Sequence, residues 1–210
     1  MFKNAFSTLI WNKQIEETKL YQEKFIEYAY ELKKKESSEY NSNTNSYQSK
    51  LLNLKEPIIN NFIKDIEKHL INYINVYEVV SWWSVEIDDM WININQKNDY
   101  LLPHMHSQKD FSGVFMLKCP KNSGSLVLQN PDSGLDYKKF YVKNKRNFVY
   151  NSYNCHEFFI EPSELKLILF PSHIKHYVTK NETDNNRITV AFDFNVVVKD
   201  NNEIKEHVRY

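Results

Sequence analysis

Two histidines separated by a single residue, His104 and His106, follow Pro103 and form the pair in this sequence best suited to chemistry. Side chains two residues apart on a β-strand project from the same face. Two imidazoles placed in this way can bind one metal ion, because a neutral ring nitrogen is a common ligand for transition metals. The H-x-H pair therefore predicts a metal site on a strand.

A second group of histidines lies about 70 residues further along, in the segment LILFPSHIKHYVTK, which contains His173 and His176. In a rolled sheet, strands that are distant in the chain lie side by side. A histidine from this segment can therefore complete a three-ligand site with open coordination positions. Such a site suits a non-haem Fe(II) that must also hold a substrate or cosubstrate.

Arg187, one of three arginines in the chain, opens the apolar strand pattern RITVAF. A guanidinium on a buried strand requires an anion, and its planar fork matches a carboxylate. Thr189 lies two residues on, so its hydroxyl shares that strand face. The pair predicts a pocket for a dicarboxylate. The alternative is a surface ion pair of Arg187 with Glu182 or Asp184, which contributes little to stability.

The elements that must position these residues divide the chain in two. Helical spacing of apolar residues predicts one helix over 11–36 and a second over 51–76, joined by an exposed Ser/Asn-rich connection at 37–49. From residue 76 onward, β-branched and aromatic residues predict eight or more short strands with no helical pattern between them. We therefore expect a helical segment at 1–76 and an antiparallel sandwich or barrel at 77–210.

Composition excludes several classes of protein. The chain has 27 Lys+Arg and 27 Asp+Glu, so it lacks the basic excess of a nucleic-acid binder. It contains no apolar run of the length that a membrane span requires, which is about 18 residues. The N-terminus lacks the apolar core of a secretory signal, so a cytoplasmic location is expected. Cys119 and Cys155 are predicted to be free thiols.

The order of several motifs resembles the 2-oxoglutarate/Fe(II)-dependent oxygenases of marine bacteria and their phages. These motifs are H-x-H, SGVFMLKCP, SLVLQNP, LILFPSHIKHYV and RITVAF, and the likeness covers about residues 82–195. The resemblance implies a double-stranded β-helix, or jelly roll, in which His104 and His176 bind iron. It also implies that Arg187, helped by Thr189, holds the distal carboxylate of 2-oxoglutarate. Turns next to the site would use the glycines Gly113, Gly124 and Gly134.

One position departs from this pattern: His106 stands where the wider superfamily usually has Asp or Glu. Three neutral histidines leave more positive charge on the metal than two histidines and a carboxylate do. Asp110 and Asp99 are alternative ligands, ranked below His106 because neither has strand spacing to His104. Further contacts to 2-oxoglutarate or substrate are expected from Asn93 and Asn95, which share a strand face, whereas the nearby Trp91 is interpreted as packing.

The expected function is therefore an Fe(II) oxygenase that couples decarboxylation of 2-oxoglutarate to hydroxylation of a small molecule or a protein side chain. Two alternatives remain open at this point: a cupin-like metal enzyme that does not use 2-oxoglutarate, and a non-catalytic β-roll module with a structural ion. An Arg187 that points inward near the metal would favour the oxygenase. The N-terminal helices are expected either to back the sheet or to form a homodimer contact.

Overall fold

The computed structural model describes residues 7–35, 46–79, 83–132 and 155–198. Strand patterns at 139–143 and 147–151, Gly134 and most of the Ser/Asn-rich connection lie outside these residues. A short 3-10 helix spans Glu16–Tyr21. The other elements, in chain order, are β1 Trp11–Gln14, α1 Gln22–Lys35, β2 Tyr47–Gln48, α2 Pro57–Asn75, β3 Trp83–Asn95, β4 Leu101–His104, β5 Phe111–Lys118, β6 Leu126–Gln129, β7 Glu157–Ile160, β8 Lys166–Pro171, β9 His176–Val178 and β10 Arg187–Val198.

The strands form two antiparallel sheets. A six-stranded major sheet has the order β1-β8-β5-β10-β3-β2, and a four-stranded minor sheet has the order β4-β9-β6-β7. The sheets face each other across a small apolar core, to which the major sheet contributes Ile168 and Phe170 and the minor sheet Leu126 and Ile160. The prediction of a mainly β, antiparallel roll is confirmed.

Strand β10 lies near the centre of the major sheet, between β5 and β3, and from Arg187 to Phe194 both of its faces are buried. Its even-numbered residues from Ile188 to Phe194 are apolar and belong to the large core beneath the helices. Its odd-numbered residues face the minor sheet, and Arg187, Thr189 and Ala191 line a cavity there. The period of two thus separates a packing face from a polar face on one strand.

The two helices cover the outer face of the major sheet. Phe25 on α1 and Phe62 on α2 meet edge to face with ring centroids 5.6 Å apart, and Phe62 reaches Phe115 of β5 at 4.9 Å. Helix α2 has Pro57 in its first turn, where the missing N–H costs no helical hydrogen bond. Within the described residues, neither helix is long and apolar enough to cross a membrane.

The prediction of one helix over 11–36 is wrong at its start. Trp11–Gln14 is an edge strand paired with β8, and the backbone N–H of Ile15 donates to the carbonyl of Leu165 at 2.7 Å. Pairing with a distant strand satisfies the backbone groups of this segment, so tertiary contacts override the local helical pattern. Strand β2 likewise lies within the predicted connection and pairs with β3.

Gly113 is not in a turn, contrary to expectation, but in the middle of β5. A Cβ at this position would lie 2.2 Å from Cζ of Phe192, whose ring rests directly on the glycine. Gly124 does lie in a turn, between β5 and β6, with a φ of 98°, where a side chain would be strained. Gly113 is therefore required by close packing rather than by backbone conformation.

Replacing Gly113 with Ala should displace the Phe192 ring and destabilise the protein by about 1–3 kcal/mol, the usual cost of overpacking. Urea denaturation measures this change. The double variant G113A/F192L, in which the shortened side chain leaves room for the methyl group, should be more stable than the sum of the two single effects predicts. A G113A protein as stable as the parent would contradict this account.

Candidate metal centre and adjoining cavity

Three histidines converge where the minor sheet meets the major sheet. His104 on β4 and His176 on β9 are direct partners across an antiparallel strand pair. His106 follows β4, and its backbone N–H donates to the carbonyl of Ser172 at 3.1 Å. The ligand atoms of the three rings all lie within 4.8 Å of one another. Strand pairing therefore brings together histidines that are about 70 residues apart in the chain.

The Nδ1 atom of each ring has an oxygen partner. That of His104 lies 3.0 Å from the carbonyl of Leu102, and that of His176 lies 2.9 Å from the carbonyl of Ile174. A carbonyl oxygen only accepts, so Nδ1 carries the proton in both rings. In a neutral ring of this kind, Nε2 is unprotonated and its lone pair is available to bind a metal.

Burial favours the neutral form of two of the three histidines, His104 and His176. It lowers the pKa of His104, and it lowers the pKa of His176 to about 3, an effect that the neighbouring His104 reinforces. Both rings are therefore neutral at physiological pH. A metal ion does not have to displace a proton from either of them.

The third ring, His106, is held by a carboxylate that the motif analysis does not identify. Its Nδ1 lies 2.6 Å from Oδ1 of Asp193, which is only 5% exposed. The same oxygen accepts from Oγ of Ser112 at 2.7 Å, and Ser112 lies 2.8 Å from Oγ of Ser172. The sequence feature that could have identified Asp193 is the alternation of residues along β10, which places Asp193 on the same strand face as Arg187.

The alternative ligands lie elsewhere. The cluster found among the described residues contains the three histidines and neither Asp99 nor Asp110. Oδ2 of Asp99 accepts from the backbone N–H of Gln96 at 2.7 Å, and Oδ2 of Asp110 accepts from that of Val196 at 2.9 Å. Both carboxylates therefore fix loops or strand ends.

Arg187 is the largest fully buried side chain of the described residues, at 2% exposure. Its Nη1 donates to Oδ1 of Asn95 at 3.3 Å, while its Nε and Nη2 have no hydrogen-bond partner. Burial lowers the pKa of the guanidinium, an effect that the neighbouring Cys119 partly offsets. Burial also raises the pKa of the Cys119 thiol to about 11, so this thiol is uncharged at neutral pH and cannot serve as a counterion.

The histidines and Arg187 line one cavity of about 280 Å³. Its polar wall includes Thr189, Asn93 and Asn95, so all of the predicted site residues meet in one place. Trp91, interpreted from the sequence as packing, also lines this cavity, with its ring centroid 5.7 Å from that of His106. The apolar wall consists of Leu101, Val114, Leu126, Phe170, Val178 and Ala191. A small cavity with a few convergent polar groups is typical of a small-ligand site.

The profile of the family described as "Putative 2OG-Fe(II) oxygenase" matches residues 89–193, which is half of the chain. The matched segment contains the three clustered histidines, Arg187 and Asp193. No curated protein matches the sequence.

Several solved structures share the fold at low sequence identity. A prolyl-4-hydroxylase from Pseudomonas putida superposes with a TM-score of 0.63 at 10% identity, covering 90% of this chain and 93% of that one. HygX from Streptomyces hygroscopicus, solved with nickel and 2-oxoglutarate, gives 0.62 at 12% identity, covering 90% and 83%. The viral collagen prolyl hydroxylase of Paramecium bursaria Chlorella virus-1, in its 2-oxoglutarate complex, gives 0.55 at 12% identity, covering 88% and 94%.

Because a buried cation without an anion is costly, replacing Arg187 with Met should stabilise the ligand-free protein, by about 1–3 kcal/mol. Urea denaturation in the absence of dicarboxylates measures the change. Arg187→Lys, which keeps the charge, is the matched control and should give no such gain. A Met variant less stable than the parent would show that the guanidinium is already compensated.

Proposed function

The chain belongs to the 2OG-Fe(II) oxygenase family, and we propose that His104, His106 and His176 bind its iron. The protein is thus an enzyme with the double-stranded β-helix fold, and its cofactors are Fe(II) and 2-oxoglutarate. The observation that carries the ligand assignment is the convergence of three imidazole rings at the wall of one cavity. Imidazole nitrogens are suitable ligands for iron, and a three-ligand site leaves positions for a cosubstrate and oxygen.

Arg187 is the proposed anchor for the distal carboxylate of 2-oxoglutarate, with Thr189 as a second donor. The support is the pair of unpartnered nitrogens, Nε and Nη2, on a buried cation that lines the same cavity as the histidines. A carboxylate would satisfy both nitrogens and the charge at once. Asn95, which accepts from Nη1, holds the guanidinium plane in position.

When bound, Fe(II) and 2-oxoglutarate supply the oxygen chemistry, in which the cosubstrate is oxidised to succinate and carbon dioxide. The residues of this chain bind and orient the reactants. The three histidines fix the ion, Arg187 and Thr189 fix the direction of the cosubstrate, and the apolar wall that includes Val114 limits the access of water. The proposed outcome is hydroxylation of a substrate C–H bond.

The substrate is assigned to the part of the cavity lined by β2 and β3. Trp91 and Asn93 line it from β3, and Gln48 lies directly opposite Asn93 on β2. An aromatic ring beside two amides suits a polar substrate, either a small molecule or a protein side chain.

Two observations disfavour the alternatives. The inward, buried Arg187 favours an oxoacid cosubstrate over a cupin-like enzyme that needs none. A structural ion is usually closed by four protein ligands, whereas the cluster in the described part of the chain has three. Both observations support a catalytic role.

The domain division, the cellular location and the oligomeric state are also proposals. A helical segment at 1–76 followed by an oxygenase domain at 77–210 remains the proposed division, although the first segment contributes β1 and β2 to the major sheet. A cytoplasmic location is supported by two cysteines that are free in the structure. A bacterial or phage origin and a homodimer stay predictions.

His176→Ala should abolish binding of Fe(II), because a site with two remaining ligands, both from one strand end, does not hold the ion. His173→Ala is a matched control, since His173 is exposed and lies only three residues away. Anaerobic calorimetric titration with Fe(II) measures both. Retention of iron by the His176 variant at parental affinity would contradict the ligand assignment.

Arg187→Met should weaken binding of 2-oxoglutarate by about 100-fold, the effect of losing a charge-assisted bidentate contact. Binding of Fe(II) alone should change by less than about threefold, well within 1 kcal/mol. The readout is the weak visible charge-transfer band of the Fe(II)–2-oxoglutarate chelate under anaerobic conditions. Equal loss of metal and cosubstrate would mean that Arg187 is structural, and absence of the band in the parent protein would contradict the proposed function.

A further inference from the structure

We propose that Asp193 is a positioning residue for the iron centre. Through its hydrogen bond to His106, Asp193 brings the negative charge that a carboxylate ligand would otherwise bring. The inference rests on the proposed three-histidine ligand set. It concerns the partner of His106, the third of these ligands.

Asp193 accepts both of the side-chain hydrogen bonds described for it. Oδ1 of Asp193 accepts from Nδ1 of His106 at 2.6 Å and from Oγ of Ser112 at 2.7 Å. Because the single hydroxyl proton of Ser112 is used in this way, Ser172 donates to Ser112 at 2.8 Å. The network holds the carboxylate in place, and the carboxylate in turn holds the His106 ring with Nε2 free for the metal.

The carboxylate of Asp193 is buried against the His106 ring and the Ser112 hydroxyl. It is 5% exposed, and its partners in the described part of the chain are one imidazole and one hydroxyl. A buried anion is costly unless a positive charge lies nearby. A metal ion on the far side of the His106 ring would provide that charge.

Asp193 lies on β10 beside a bulge in the neighbouring strand β3. In the pairing of β10 with β3, Asp193 lies opposite Asp89 and Phe194 opposite Ile87, so Asp88 is an extra residue in the bulge. A bulge bends the strand that carries the extra residue, here β3, and bulges are frequent beside active sites. On the other side of β10 the register is regular at this point, and it places Asp193 directly opposite Ser112.

The charges of the loaded site then balance. Fe(II) and Arg187 together bring three positive charges, and the two carboxylates of 2-oxoglutarate together with Asp193 bring three negative charges. A site with three histidines and no Asp193 would bury one uncompensated positive charge. In this site the carboxylate contacts a proposed metal ligand, His106, rather than belonging to the ligand set itself.

The test compares Asp193→Asn with the matched control Asp99→Asn. Both changes remove one charge from a carboxylate of a residue that is at most 7% exposed, but the carboxylate of Asp99 accepts only from the backbone N–H of Gln96 among the described contacts. Asp193→Asn should weaken Fe(II) binding by 10- to 100-fold, as expected for the partner of a metal-binding histidine, and Asp99→Asn should not change it. Anaerobic calorimetric titration with Fe(II) provides the readout.

A spectroscopic readout separates positioning from folding. Loss of the nearby negative charge lowers the energy of the iron d electrons, so the charge-transfer band of the Fe(II)–2-oxoglutarate chelate should move to shorter wavelength in Asp193→Asn. A parental affinity together with an unmoved band would overturn the inference and leave the proposed function intact. A parent protein that binds no Fe(II) would overturn both.

A double-mutant cycle tests whether Asp193 acts through His106. In His106→Asp, a carboxylate replaces the ring, so adding Asp193→Asn should change Fe(II) affinity by less than twofold. An equal loss in both backgrounds would show that Asp193 acts on the fold instead and would overturn the inference.

A measurement on the unmodified protein keeps the proposal testable should Asp193→Asn fail to fold. In the Zn(II)-loaded protein with ¹⁵N-labelled histidine, His106 should be protonated at Nδ1, with a proton resonance shifted strongly downfield by the hydrogen bond to the carboxylate. Protonation of His106 at Nε2 would overturn the inference.

Discussion

The alternation of β10 between two buried faces is the constraint on which the rest of the structure depends. One face packs Ile188, Val190 and Phe192 beneath the helices, so the strand cannot shift by one residue without burying polar groups in that core. The other face consequently presents Arg187, Thr189 and Asp193 at fixed intervals. The spacing between Arg187 and Asp193, which contacts His106, is thus set by strand geometry, and the packing that holds β10 also holds these two residues.

The site carries two charged groups whose burial is unfavourable in the isolated chain. Arg187 lacks an anion at two of its nitrogens, and the described partners of Asp193 are one imidazole and one hydroxyl. These groups lie near opposite ends of the site, where a dianion and a divalent metal would compensate them. The fold therefore sacrifices stability to prepare the positions of two ligands, a common feature of functional sites.

Much of the site could be predicted from the sequence because its signals are local. The spacing of His104 and His106 and the isolation of Arg187 at the start of an apolar strand are both visible in short segments. The direct pairing of His104 with His176 is not visible in any short segment, because it results from β4 and β9 being neighbours in the fold. In the sequence, only the order of the motifs indicates this pairing. Asp193 was missed because a carboxylate on an apolar strand is informative only once its partner is known.

The fold could be predicted in its class but not in its N-terminal details. Apolar spacing identified α2 and most of α1, and alternation identified the strands that follow. Trp11–Gln14 has no strand pattern of its own, since its conformation is determined by the free edge of β8. Sequence alone predicts a turn at Gly113 because glycine is frequent in turns, whereas the role of this residue depends on the ring of Phe192 from another strand.

The central claim is that three histidines and Arg187 hold Fe(II) and 2-oxoglutarate at the two ends of one cavity. A crystal structure of the protein grown anaerobically with both ligands tests it most directly. The account predicts an anomalous iron peak within bonding distance of Nε2 of His104, His106 and His176, with the distal carboxylate of the cosubstrate on Arg187. An iron peak that lacks any of these histidines, or a cosubstrate bound away from Arg187, would contradict it.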